Sequence, residues 1–354
     1  MQTFFIVAVL ALGFLVTFQI AKASEYVGIL RGEEKTKKQT NKINGFLLLM
    51  FLILGLIGVY FCNEQFKGRV LGEAASDHGI LIDRMLHITF ILTGVVFVIT
   101  QVALFWFAYK YQESEKRKAY YYPHNNKLEV IWTVIPAIAL TVLVGFGIFY
   151  WFKITGEAPE GAQQVEIVGS QFKWEFRYPG NDKVLGKKYF KQVSSENPMG
   201  QLWDDPYNHD DVYVSGEAMH LVVNKPVKLV IGAKDVIHDV GLVHFRMKMD
   251  AVPGTPTTMW FTPTKTTKQM IEETGNPKFV FEISCDQMCG QGHTGMRGEI
   301  IVESQEEFDA WMAQKKPKYF SVFPDKDPNA VKDTAAIKTI PVKDTLTIAQ
   351  LKTK

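Results

Sequence analysis

Apolar and polar positions change their spacing near residue 160. Before that point the chain holds long apolar runs separated by charged loops: Met1–Ala21, Gly45–Cys62, Leu86–Tyr109 and Ile131–Phe152. A helix advances about 1.5 Å per residue, so about 20 residues cross a hydrocarbon core of roughly 30 Å. Each run is therefore expected to be a membrane helix, and Gly45–Cys62 is the shortest. Met1–Ala21 carries no charge. It lacks the positive flank of a signal peptide, and Ala21-Lys22-Ala23 is a poor cleavage site, so it too reads as a membrane helix.

Beyond Gln164 the period becomes two. Phe172, Trp174, Phe176 and Tyr178 alternate with Lys173, Glu175 and Arg177, the pattern of a half-buried strand. Val165 and Ile167 have the opposite parity, so Gly169-Ser170 between them predicts a bulge. Residues 180–211, rich in Gly, Asn, Pro and Asp, read as a loop. Strands are expected at Val212–Val214, Met219–Val223 and Val227–Gly232, then at Phe279, Phe281 and Ile283, and finally at Gly298–Val302. Many short strands with turn signals predict a sandwich or barrel. Glu306–Gln314 predicts a short helix, and the Lys-, Asp- and Thr-rich tail is expected to be weakly ordered.

Loop charge orients the helices. Residues 22–44 hold Lys22, Arg31, Lys35, Lys37, Lys38 and Lys42, and residues 110–130 hold Lys110, Lys116, Arg117, Lys118 and Lys127. The loop 63–85 holds only Lys67, Arg69 and Arg84. The positive-inside rule places the first two loops in the cytoplasm and everything after Lys153 outside. The expected division is 1–65 and 66–153 in the membrane, 154–315 as the outer β domain and 316–354 as the tail. Over 354 residues the net charge is +2, which leaves no nucleic-acid footprint. Three cysteines are too few for a disulfide framework, and the chain has no C-x-x-C-H, so no covalent c-type haem is expected.

The chemistry concentrates in Cys285–Met296, C-D-Q-M-C-G-Q-G-H-T-G-M. Thiolate and thioether ligands mixed with imidazole favour copper over magnesium, calcium or manganese. Two thiols on one loop suggest a pair of copper ions bridged by sulfur. A blue single-copper site from His238, Cys289, His293 and Met296 would leave Cys285 idle. A plain Cys285–Cys289 disulfide is the bland alternative.

The loop, written C-x-x-x-C-x-x-x-H-x-x-M, resembles the CuA signature of subunit II of the haem–copper cytochrome c oxidases. Asp235-Val236-Ile237-His238 is similar to that family's D-V-x-H, and Lys248–Gly254 to its K-x-D-A-x-P-G. Leu128–Pro136 resembles its L-E-x-x-W-T-x-x-P. Together these cover about residues 86–315. The resemblance implies a helical membrane part followed by an all-β, cupredoxin-like Greek-key domain. It implies two copper ions bridged by Cys285 and Cys289 and capped by His238 and His293, with Met296 and the backbone carbonyl of Gln287 as weak ligands. Asp235 and Asp250 would be carboxylates just outside the ligands or at an interface.

The implied role is the subunit through which electrons enter a terminal oxidase. It would take them from cytochrome c and pass them to haem in subunit I, where oxygen is reduced and protons are pumped. This chain alone would only transfer electrons. The implied partners are subunit I, the other oxidase subunits, cytochrome c and the lipid bilayer. The expected location is a bacterial inner membrane, crossed several times, with the N-terminus and copper domain periplasmic. A quinol oxidase subunit II and a membrane-anchored copper carrier are the competing readings.

Some positions depart from the family. Gln287 stands where the family commonly has Glu, which also touches a magnesium or manganese ion shared with subunit I. An amide oxygen is a weaker ligand for a hard cation. The family's Q-W-x-W reads Gln171-Phe172-Lys173-Trp174 here, so Phe172 and Trp174 are the candidates for the point where electrons enter. Glu129 is a candidate entrance to a proton pathway, or simply a helix-start carboxylate. Asp204, Asp205, Asp210 and Asp211 read as an acidic loop that steers a basic partner or is merely solvated. His78, His87, His124, His209, His220 and His244 are assigned no ligand role.

Overall fold

The computed structural model describes residues 2–67, 72–114 and 117–328, without the side chains of residues 2–10, Arg31 and Glu33. The end of the expected tail, residues 329–354, lies outside the described residues. Four long helices come first: α1 (Gln2–Arg31), α2 (Glu33–Phe66), α3 (Asp77–Lys110) and α4 (Asn126–Thr155). They outrun the apolar segments because the flanks contain no Pro and at most one Gly each. Residues 33–44 are mostly Glu, Lys, Thr, Gln and Asn and contain neither Gly nor Pro. Among the described residues, 3 helices are long and apolar enough to cross a membrane: Glu34–Phe66, α3 and α4. Of the expected span Met1–Ala21, residues 2–21 fall within α1, and its first ten side chains lie outside the described set.

The β domain is a sandwich. One sheet orders β3 (Val212–Ser215), β2 (Lys173–Tyr178), β1 (Gln163–Ser170), β5 (Val227–Ala233) and β8 (Thr257–Phe261). The other orders β4 (Met219–Val222), β10 (Arg297–Glu303), β9 (Phe281–Cys285), β6 (His238–Leu242) and β7 (Met247–Ala251). The chain switches sheets repeatedly, and β1·β5 and β4·β10 pair in parallel. Inner faces meet through Val165, Ile167, Phe176, Leu229 and Ile231 on one side and Leu221, Val240, Leu242, Phe281 and Ile283 on the other, all buried. The chain is thus a helical membrane part joined to an all-β, cupredoxin-like domain.

Several local expectations change. The parity break at Gly169-Ser170 is not a bulge within one strand. It ends β1, and β2 returns antiparallel with Ser170 opposite Lys173. A tight hairpin reverses parity just as a bulge does, so periodicity alone cannot separate them. Nor is β2 half-exposed. Glu175 and Arg177 are buried because residues 180–211 fold back over the outer face of the sheet. Arg177 donates to Glu166 at 2.6 Å, the Gly186 carbonyl at 2.9 Å, Asn208 at 2.9 Å and Asp211 at 2.7 Å. Asp211 therefore belongs to a buried network, not to a solvated acidic loop. Burial lifts its carboxyl up to about 7 against the pull of Arg177.

The start of the expected weakly ordered tail is folded. In α7 (Lys318–Val322), Tyr319 is buried and stacks on His209 at 3.9 Å. The Lys318 N–H donates to the Asp211 carbonyl at 3.0 Å. Helices α5 (Thr267–Thr274) and α6 (Gln305–Met312) each open with a capping box, Thr266/Gln269 and Ser304/Glu307.

The membrane helices are tied directly to the sandwich. Ser76 caps α3 and its hydroxyl donates to the Phe245 carbonyl at 2.7 Å. Asp77 accepts from the Thr262 N–H at 2.8 Å, and the Trp260 indole donates to the Gly156 carbonyl, past the end of α4, at 2.8 Å. Arg246 pairs with Asp83 at 2.9 Å. These contacts fix the sandwich at one end of the α3–α4 hairpin.

Candidate metal centre

The candidate ligands come from the start of β6 and from the loop that joins β9 to β10. Since β9 lies between β6 and β10, His238 and the loop are brought to one end of the same sheet. Val240 pairs with Cys285 across the β6–β9 ladder. Cys285 closes β9, a short 3-10 turn at His293–Gly295 reverses the chain, and Met296 immediately precedes β10. The Cys285 N–H donates to the Met296 carbonyl at 3.3 Å, which closes the base of the loop.

Sulfur and nitrogen converge inside this loop. Sγ of Cys285 lies 3.8 Å from Sγ of Cys289 and 3.8 Å from Nδ1 of His238. Sγ of Cys289 lies 3.6 Å from Nδ1 of His293 and 3.9 Å from Sδ of Met296. The Gln287 carbonyl accepts from the Cys285 thiol at 3.2 Å. Donor atoms of His238, Cys285 and Cys289 all lie within 4.8 Å of one another. These three and Met296 are buried, while His293 is half-buried. This set of two thiols, two imidazoles, a thioether and a carbonyl has the softness that copper favours. Both thiols belong to it, so neither is idle. Cys285 and Cys289 are free thiols, not a disulfide.

An outer ring holds the donors. Nε2 of His238 faces Asp235 Oδ1 at 2.9 Å, which turns Nδ1 toward the cysteines. Asp235 also accepts from the Gln171 N–H at 2.8 Å and the Val236 N–H at 2.7 Å. Burial alone would raise its carboxyl; these hydrogen bonds outweigh it and hold Asp235 below the usual carboxylate range. The Gln171 amide donates to the Cys289 carbonyl at 2.6 Å, a contact that sequence reading missed. Its place beside the β1–β2 turn was the available signal. Burial pushes the Cys289 thiol up to about 11, with the neighbouring Cys285 adding to the shift.

Trp174 is buried, edge-on to His238 with ring centroids 6.0 Å apart. Gly169 makes room for both rings: a Cβ there would come within 2.9 Å of Trp174 and 3.0 Å of His238. Phe172 is 40% exposed and covers the metal loop. A Cβ on Gly290 or Gly292 would run into its ring. Phe172 therefore has an exposed face, whereas Trp174 does not.

The remaining candidates lie elsewhere. Gln287 is exposed, with its backbone carbonyl at the Cys285 thiol. Asp250 stands across from Asp239 on the β6–β7 ladder. Asp239 is buried, and its carboxyl is raised to about 6 by burial and then by Asp250, with Asp286 adding and Lys248 opposing. Nothing in the sequence pattern marked it. Glu129 sits in the first turn of α4 and accepts from the Asn125 N–H at 3.4 Å, a helix-start contact far from the metal loop. His78 is buried against Trp260 at the foot of α3, and His220 stacks on Trp311 while bonding Glu303 at 2.7 Å.

Fold and site together define a membrane-anchored β-sandwich protein with a buried thiol–imidazole cluster at one sheet end. The family model for the transmembrane domain of cytochrome c oxidase subunit II matches residues 73–149, and that for its periplasmic domain matches residues 163–305. The alternative cytochrome c oxidase subunit 2 of Bradyrhizobium diazoefficiens is 36% identical over 235 residues, covering 66% of this chain and 80% of that one. The cytochrome c oxidase subunit 2 of Cereibacter sphaeroides is 27% identical over 235 residues, 64% of this chain and 73% of that one. Among solved structures, the periplasmic domain of subunit II of cytochrome oxidase from Bradyrhizobium japonicum is 26% identical, with a TM-score of 0.32, covering 46% of this chain and 99% of that one. The chain belongs to the cytochrome c oxidase subunit II family, a membrane protein with a periplasmic C-terminal domain. Helices α1 and α2 precede both matched regions.

Proposed function

We propose that this chain is the subunit through which electrons enter a cytochrome c oxidase, received from cytochrome c and delivered to haem in subunit I. The observation that carries this reading is the convergence of both thiols with His238, His293 and Met296 in one buried loop. Cys285, Cys289, His238, His293, Met296 and the Gln287 carbonyl would hold two copper ions, which supply one-electron transfer. The sandwich anchors His238 at the start of β6 and the donor loop between the ends of β9 and β10, so the donors need little movement during turnover. Asp235 orients His238, and Gln171 ties Asp235 to the Cys289 backbone. Phe172 shields the loop from water and offers the apolar face on which cytochrome c docks. Trp174 lies behind His238 and acts as packing.

The intact donor set favours this reading over a quinol oxidase subunit or a copper carrier. Residues 1–65 form an added membrane region, and Glu129 is a helix-start carboxylate. The exposed Gln287 amide leaves a hard cation without its usual carboxylate, and the oxidase is expected to bind magnesium or manganese weakly at that position. The purified oxidase containing this chain should oxidise reduced cytochrome c and consume oxygen. Activity with quinol but none with cytochrome c would overturn the assignment.

A further inference from the structure

The face opposite the periplasmic domain holds a second built site. There the start of α2 meets the end of α3, and the two flank a half-open cavity of about 720 Å³. Lys37, Lys38, Lys42, Lys110 and Arg117 line it, outnumbering Glu34 and Glu113. The helices close tightly below it. Gly45 has no side chain, and a Cβ there would collide with Gln112 and touch Tyr109. At its rim Lys37 pairs with Glu113 at 2.8 Å, and Arg117 donates to the Lys110 carbonyl at 2.8 Å.

The height of the cavity is informative. Its wall includes Phe46, where the apolar run of α2 begins, and Tyr109, where that of α3 ends. The cavity therefore straddles the level at which a bilayer changes from headgroup to hydrocarbon, with cations above and aromatic rings below. A small free anion would use only the cations. A ligand with a phosphate head and acyl chains would use both. Basic pockets between membrane helices on this side suit anionic headgroups.

We propose that this cavity binds the phosphate headgroup of an anionic phospholipid and seats it between α2 and α3. The site would bind lipid whether or not the metal centre carries copper. It would also give the added N-terminal region a fixed seat against the family hairpin.

The test uses the intact oxidase in vesicles with photoreactive phosphatidylglycerol or, separately, a photoreactive phosphatidylcholine of the same acyl chains. Labelled peptides should map to residues 33–46 and 109–114 with phosphatidylglycerol and much less with phosphatidylcholine. The double variant Lys38→Gln/Lys42→Gln should lower that labelling by roughly tenfold or more. Lys38→Arg/Lys42→Arg should restore it, and Lys35→Gln, outside the cavity, should leave it unchanged. Equal labelling by both lipids, or labelling indifferent to the Gln variant, overturns the proposal. Displacement by millimolar inorganic phosphate would assign the site to free phosphate and also overturn the lipid reading.

Discussion

Nε2 of His238 lies 2.9 Å from Oδ1 of Asp235, on the far side of the imidazole from Sγ of Cys285 at 3.8 Å from Nδ1. This pairing leaves Nδ1 as the lone-pair donor and fixes the ring plane. Carboxylate partners of metal-bound histidines typically account for 10–100-fold of affinity. Asp235→Asn should therefore weaken copper binding by about one to two orders of magnitude while the sandwich stays folded. Competition with a copper chelator on a fragment spanning residues 160–328 measures this. Unchanged affinity would mean that the carboxylate does not orient the ligand.

The Cys289 thiol, pushed up to about 11 by burial, is protonated at neutral pH in the metal-free protein. Copper must displace that proton. Apparent affinity should rise by about tenfold per pH unit for each proton displaced, between roughly pH 6 and 9. Cys289→Ser should flatten this dependence and lower the affinity. A wild-type affinity independent of pH would contradict a buried thiol ligand.

Phe172 covers the metal loop but supplies no donor. Phe172→Ala should keep the copper content unchanged and slow electron transfer from reduced cytochrome c by about tenfold, the scale of a truncated interface anchor. Stopped-flow reduction of the oxidase reads this directly. Trp174→Phe should leave that rate nearly unchanged, because Trp174 is buried. A larger effect from Trp174→Phe than from Phe172→Ala would reverse the two roles.

Asp239 carries a raised carboxyl, about 6 against an ordinary 3.8. Its contribution to stability is complete below pH 3.8 and is lost as pH rises through 6. Asp239→Asn should stabilise the metal-free fragment at pH 7.5 by on the order of 1 kcal/mol, with the gain vanishing near pH 4. Denaturant melts at the two pH values give the comparison. A gain of the same size at both would place the effect in packing instead.

Much of this fold was readable because its periods are strong. Four apolar runs marked the helices, and alternation marked most of the strands. The donor loop announced itself because two thiols, an imidazole and a thioether rarely crowd into one short segment. Structure was needed where a contact joins distant residues. Gln171 reaches Cys289 only because the β1–β2 turn lies over the loop. Arg177 and Asp211 look like surface charges until residues 180–211 close over them. Tyr319 belongs to a polar tail by composition, yet its ring has His209 to stack on. The hairpin at Ser170 escaped because a turn and a bulge produce the same change of parity.

In the proposed function both thiols serve one centre of two copper ions. The fragment spanning residues 160–328, loaded with copper, should bind two ions per chain. One-electron oxidation should give a mixed-valence paramagnetic resonance signal split by two equivalent copper nuclei. Cys285→Ser should abolish that signal while leaving the sandwich folded. A stoichiometry of one copper with hyperfine splitting from a single nucleus would rule out the paired centre.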